Sequence, residues 1–157
     1  MKTRRKRRAK PIAGTTAFWD TSGIVPLCTL QHQSAPARQH ARVHSRQVVW
    51  WATPVEALSA LRRLSREDQL TREELRQSLA RLEYLRTRWS EIQPTEEARR
   101  HAERLLAVHR LRAADAFQLA AALVWCENRT RGRVFIGSDS SLSDSAEAEG
   151  FTVIRLI

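Results

Sequence analysis

Four carboxylates stand where apolar runs end or apolar helices begin. Asp20 closes the run Thr15 to Trp19, and Asp139 follows Val134-Phe135-Ile136-Gly137-Ser138. Glu56 comes just after Thr53-Pro54, and Asp115 lies within Arg112-Ala113-Ala114-Asp115-Ala116-Phe117-Gln118-Leu119. Taken singly, each has an ordinary role. Asp20 and Asp139 suit turns after strands, and Glu56 and Asp115 suit first helical turns, where the helix dipole favours an acid. Brought together, they would form a hard, oxygen-only cluster that is unstable without a cation and suits Mg²⁺ or Mn²⁺. Asp115 is the most telling, because a carboxylate among apolar neighbours is costly to bury unless paired or metal-bound.

The elements around these acids can be read from periodicity and punctuation. Residues 15–20, 46–52, 89–93, 133–137 and 151–157 read as strands, rich in β-branched and aromatic types. A helix is expected over the apolar segment Ile24–Leu30, and residues 31–45 read as a loop or a short second helix. Thr53 is expected as an N-cap with Pro54 at the first helical position. Thr71-Arg72-Glu73-Glu74 is a capping box that opens a helix ending near Trp89. Pro94-Thr95-Glu96-Glu97 opens another, and Arg112–Asn128 forms a helix apolar on most sides, expected in the core. A short surface helix over 141–149 ends at Gly150. Strands alternating with helices predict an α/β fold, a parallel sheet covered on both faces. In such a sheet, sites lie at the carboxyl ends of the strands, where these acids fall.

Length and composition bound the reading. The 157 residues make one domain, and 42% apolar with 28% charged residues is globular composition. Cys28 and Cys126 cannot build a disulfide framework, show no metal-ligand spacing and read as buried thiols. No apolar run is long enough to span a membrane, and the segment after the basic start is too short and polar for a secretory signal. A cytoplasmic protein without a membrane partner is expected.

The formal charge is +10, from 27 Lys and Arg against 17 Asp and Glu. Seven of the basic residues lie within the first ten positions, and all three lysines are among them. Residues 1–14 therefore read as a disordered basic arm, which either contacts nucleic acid, serves only solubility, or reflects a misplaced translation start. Beyond it every basic residue is arginine, a side chain suited to phosphate oxygens and base faces. The balance favours nucleic acid as partner.

The motifs resemble a PIN domain of the VapC toxin type. Phe18-Trp19-Asp20-Thr21-Ser22 resembles the family's first motif, and Thr53-Pro54-Val55-Glu56-Ala57-Leu58 its second. Leu111-Arg112-Ala113-Ala114-Asp115-Ala116-Phe117 closely matches the third. Phe135-Ile136-Gly137-Ser138-Asp139, with Gly150-Phe151-Thr152-Val153-Ile154, resembles the fourth. The likeness covers residues 15–157, leaving the arm outside.

The resemblance implies a PIN-like, Rossmann-like three-layer sandwich with about five parallel strands. It implies a Mg²⁺- or Mn²⁺-dependent endoribonuclease, the toxin of a type II toxin–antitoxin pair, with Asp20, Glu56, Asp115 and Asp139 as its catalytic acids. Asp20, Asp115 and Asp139 would hold metal, Glu56 would bind or deprotonate the attacking water, and Ser22 and Ser138 would orient waters from behind the acids. Arg112 would contact the scissile phosphate, or simply be an exposed helix-terminal residue. A cognate VapB-like antitoxin and a homodimer are the implied partners, and RNA the implied substrate.

Two rivals stand beside this reading. A PIN-like module can bind RNA or protein without cutting. A haloacid-type phosphatase would need a second Asp two residues after Asp20, where this chain has Ser22. The remaining residues have plainer roles. Trp19, Trp50, Trp51 and Trp125 are expected in the core, although one exposed Trp could stack on a base. The five histidines are expected in loops or on the surface, and Asp144, Glu147 and Glu149 on a solvated helix face. Leu75, Leu79, Leu82 and Leu85 are expected by default to pack in the core, with a dimer contact or an antitoxin groove as the alternatives.

Overall fold

The computed structural model describes residues 15–157. The expected basic arm, residues 1–14, lies outside them. Five strands form one all-parallel sheet: β1 (Thr16–Trp19), β2 (Arg46–Trp50), β3 (Ser90–Ile92), β4 (Val134–Gly137) and β5 (Thr152–Arg155). Seven helices cover it: α1 (Thr21–Cys28), α2 (Ser34–Val43), α3 (Thr53–Arg66), α4 (Arg72–Arg86), α5 (Glu96–Val108), α6 (Ala113–Trp125) and α7 (Ser140–Ala148). This is a three-layer α/β sandwich of Rossmann-like form.

The strands read as apolar runs because both of their faces are covered. Ala17, Trp19, Val49 and Ile136 point to one side and meet Ile24, Leu61, Leu82 and Leu85 of α1, α3 and α4. Phe18, Val48, Trp50 and Phe135 point to the other and meet Leu105, Leu119, Leu123 and Leu142 of α5, α6 and α7. The two-residue alternation of a strand thus sorts one sequence run into two cores. Trp19, Phe18 and Phe135 are among the largest side chains wholly removed from solvent, each worth about 1.5–3 kcal/mol in transfer terms.

The strand order is β3-β2-β1-β4-β5. The chain builds outward from β1 through β2 to β3, then crosses back to lay β4 on the other side of β1. The order therefore reverses between β1 and β4, and a crevice opens there at the carboxyl ends. Phe18 pairs with Phe135 and Trp19 with Ile136 across this junction, and Asp20 N–H donates to Ile136 O at 3.1 Å.

Several boundaries depart from expectation. Helix α1 begins at Thr21, three residues early, because Asp20 caps it by accepting the Gly23 N–H at 3.1 Å. Of the two readings of residues 31–45, the short second helix is the one found, as the ten-residue α2. Thr53 is inside α3 rather than capping it, and Ala52 holds the cap position. Helix α6 ends at Trp125, where Glu127 and Asn128 turn left-handed (φ 51° and 61°). Strand β2 stops at Trp50, so Trp51 leaves the sheet and is 51% exposed. His44 is buried, its Nδ1 2.7 Å from Thr15 Oγ1, and burial lowers its pKa. Cys28 and Cys126 are buried free thiols.

Candidate active site

Asp20 sits one residue past β1 and is 3% exposed. Ser22 Oγ lies 2.8 Å and 2.9 Å from its two carboxylate oxygens and donates to them. The same Oγ accepts from Ser138 N–H at 2.7 Å and Asp139 N–H at 3.2 Å. One hydroxyl thus ties the β1–α1 turn to the β4–α7 turn. Pro26 contributes from within α1. It has no N–H to give the Ser22 carbonyl four residues back, and that carbonyl accepts from Ser138 Oγ at 3.1 Å instead.

Gly137 completes the junction. A β-carbon there would overlap Asp20 Oδ1 and come within 2.8 Å of its Cγ. Only glycine lets the end of β4 run against the Asp20 carboxylate. The need for glycine here shows only once β1 and β4 are side by side.

Glu56 is held by a different set of residues. Thr21 Oγ1 donates to Glu56 Oε2 at 2.7 Å, and Gln118 Nε2 donates to the same oxygen at 3.0 Å. Gln118, 1% exposed on α6, also reaches Thr21 Oγ1 at 2.8 Å and Thr53 Oγ1 at 3.2 Å. Its Oε1 is buried without a partner. Two elements, α1 and α6, therefore converge on one oxygen of Glu56, which α3 carries. Thr21 and Gln118 escape sequence reading because a Thr opening a helix and a Gln in an alanine-rich helix look unremarkable.

Asp20, Ser22, Glu56, Arg112, Asp115, Ser138 and Asp139 all line one open cavity of about 540 Å³. Every site residue expected from the sequence therefore faces one space. Arg63, Gln31 and Gln33 join them there. Arg63 sits among the arginines of an ordinary amphipathic helix, and nothing local marks it. Asp115 is the third residue of α6 and half-buried, and Arg112 takes the exposed N-cap position. Asp139 caps α7, accepting Leu142 N–H at 2.7 Å.

Among the described residues, none of the four acids in this cavity forms an ion pair. Burial pushes the Asp20 carboxyl up to about 7, helped by the charges of Asp139 and Asp115, although the Ser22 and Gly23 hydrogen bonds pull the other way. Burial also raises Asp115, with Asp139 and Glu56 adding to the rise and Arg112 opposing it. A dication would relieve this repulsion, and an all-oxygen donor set fits Mg²⁺ or Mn²⁺ in chemistry. Among the described residues, no group of three His, Cys, Asp or Glu side chains is gathered closely enough to hold an ion directly. Mg²⁺ retains several waters, so acids spaced in this way suit holding it partly through water.

No protein-family model matches the chain, and no curated protein matches it. Among solved structures it is similar to the crystal structure of PAE2754 from Pyrobaculum aerophilum. That likeness has 18% sequence identity, covers 90% of each chain and gives a TM-score of 0.55. At this identity it shows the arrangement of helices and strands, and no activity is carried across with it. Among the described residues, no helix is long and apolar enough to cross a membrane.

Proposed function

We propose that this cleft hydrolyses RNA phosphodiester bonds as a Mg²⁺- or Mn²⁺-dependent endoribonuclease of PIN type. The toxin half of a cytoplasmic type II toxin–antitoxin pair, homodimeric and opposed by a VapB-like antitoxin, is the biological setting this reading favours. One observation carries the proposal: acids from four separate elements face a single cavity, and burial and mutual repulsion raise two of them.

Asp20, Asp115 and Asp139 would hold the metal. When bound, it would supply positive charge against the phosphate and make water more acidic. Ser22 keeps Asp20 and the Asp139 backbone in register. Both hydrogen bonds to Glu56 fall on Oε2, which leaves Oε1 to take a proton from the attacking water. The oxygen of that water bonds to phosphorus, the bridging P–O bond breaks, and the leaving oxygen takes a proton from solvent. Arg112 and Arg63, on the cavity wall, are placed to meet the phosphate.

The test is cleavage of RNA with Mg²⁺, Mn²⁺ or EDTA by wild type and Asp115→Asn. Asparagine keeps the shape and removes the charge. Metal-dependent cleavage should fall at least about 100-fold in the variant with its circular dichroism unchanged. Equal, weak cleavage by both proteins would reject the nuclease. The wide spacing of the acids would then favour a PIN-like module that binds RNA or protein without cutting.

A further inference from the structure

A second cavity, of about 500 Å³, opens beside the acidic one at the carboxyl ends of β2 and β3. Trp50, Trp51, Phe117 and Pro94 supply its apolar walls. Glu56 and Ala114 line both cavities, so the first turns of α3 and α6 form a shared wall. Trp50 and Phe117 stack with ring centroids 5.5 Å apart and planes 3° from parallel. Trp51 directly follows a buried strand yet is 51% exposed. Its backbone N–H donates to Ile92 O at 3.0 Å, so the sheet holds the base of this indole firmly.

The charges decide what such a cavity accepts. Its cation, Arg99, is tied to Glu96 at 3.1 Å, and Glu96 and Glu56 both line the space. Phosphate is therefore unwelcome, and a flat, uncharged aromatic group fits. The acidic cleft next door has Arg63 and Arg112 on its wall. Among the described residues, neither forms an ion pair within 4.0 Å.

We propose that the Trp51 cavity is a nucleobase subsite. An unpaired base of the RNA strand stacks on the Trp51 indole while its phosphate lies across Glu56 and Ala114 in the acidic cleft. This rests on reading that cleft as the phosphodiester site. Stacking on one aromatic face tolerates any base, so the subsite selects single-stranded RNA over a sequence.

The experiment is equilibrium binding of a labelled single-stranded RNA ten-mer to the full chain in Ca²⁺, a dication for an all-oxygen site, with the ten-mer checked for intact length afterwards. Wild type, Trp51→Ala and Trp51→Phe are compared across a salt series. Trp51→Ala should weaken binding about 5- to 100-fold, and Trp51→Phe should restore most of it. The slope of log affinity against log salt should not change, because no phosphate contact is removed. A ten-mer carrying abasic sites should bind wild type as weakly as the intact ten-mer binds Trp51→Ala.

Unchanged affinity in Trp51→Ala, a changed salt slope, or no RNA binding at all would overturn the subsite. So would a shift of Trp51→Ala to a smaller species in sedimentation with RNA affinity intact, which would assign the face to a second copy. Metal-dependent cleavage by wild type and Asp115→Asn is scored separately, so cleavage that persists while Trp51→Ala leaves binding unchanged sinks the subsite and spares the nuclease reading.

Discussion

The two ends of α7 carry acids under opposite conditions. At the N-terminal end, Asp139 faces the Asp20 and Asp115 side, where charge adds to charge and the neighbouring carboxyls are pushed up. At the C-terminal end, Glu149 accepts from Arg104 at 2.7 Å and sits 2.7 Å from His109 Nε2. The Arg104 and His109 contacts hold its carboxyl below the usual range, although partial burial opposes them. Nine residues of helix therefore separate an unpaired acid group from a paired one. Cations are not scarce, since twenty arginines follow the arm. Among the described residues, five of them pair with acids of α4, α5 and α7 or with Glu149 just beyond α7, and none forms an ion pair with a cleft acid. The paired carboxylates at the far end of α7 are neutralised by the chain's own cations, and the cleft carboxylates are not.

The sharpest way to break this contrast is to spoil the cleft without touching a charge. Gly137→Ala drives a β-carbon into Asp20. It should cut metal-dependent cleavage at least about 100-fold, and overpacking should cost about 1–3 kcal/mol in urea unfolding. Near-wild-type cleavage would mean Asp20 need not hold its observed position.

A metal titration sharpens it next. The raised folded-state pKa of Asp20 means the metal-free protein loses stability as pH rises from about 4 to about 7. Mg²⁺ competes with that proton, so its melting-temperature increment should be larger at pH 8 than at pH 6. Asp20→Asn should abolish the increment. An equal increment in the variant would place the ion elsewhere.

Gln118→Leu tests the support of Glu56. The variant removes the donor to Oε2 and leaves the Thr53 hydroxyl buried without its partner. Cleavage should fall about 10-fold in kcat with little change in KM, and stability by about 1–2 kcal/mol. A change in KM alone would assign Gln118 to substrate contact instead.

The smallest effect belongs to the far end of α7. The lowered pKa of Glu149 gives stability that is present above its ordinary value of 4.5 and lost as pH falls through the folded value. Glu149→Gln should cost about 1 kcal/mol or less at pH 7, since Arg104 is half exposed. That cost should vanish in acid, and RNA cleavage should be unchanged. A cleavage defect would link the two ends of the helix.

Much of the cleft is legible in the chain because its acids end apolar runs or open helices, and in an alternating α/β pattern strand ends and the starts of the following helices fall on one edge. Asp20, Glu56, Asp115 and Asp139 are found this way. Thr53 misleads: a Thr before Pro is a good cap by local chemistry, but its hydroxyl is wanted by Gln118 65 residues away. His44 and Glu149 look solvated in sequence and are drawn inward by Thr15 and by Arg104 with His109. Trp51 looks like strand interior, because periodicity does not mark the residue at which β2 stops.

The α/β class, the parallel sheet, the capping box at Thr71 and the positions of the four acids are written in the chain, since each rests on interactions within a few residues or on a two- or 3.6-residue period. Which groups meet is settled by packing between distant segments. The Ser22 bridge to Ser138 and Asp139, the glycine required at 137, the Gln118 clasp on Glu56 and the exposed Trp51 beside the cleft all depend on contacts between distant segments. Their chemistry is ordinary, and what makes them a site is that strand order reverses between β1 and β4 and brings them to one edge.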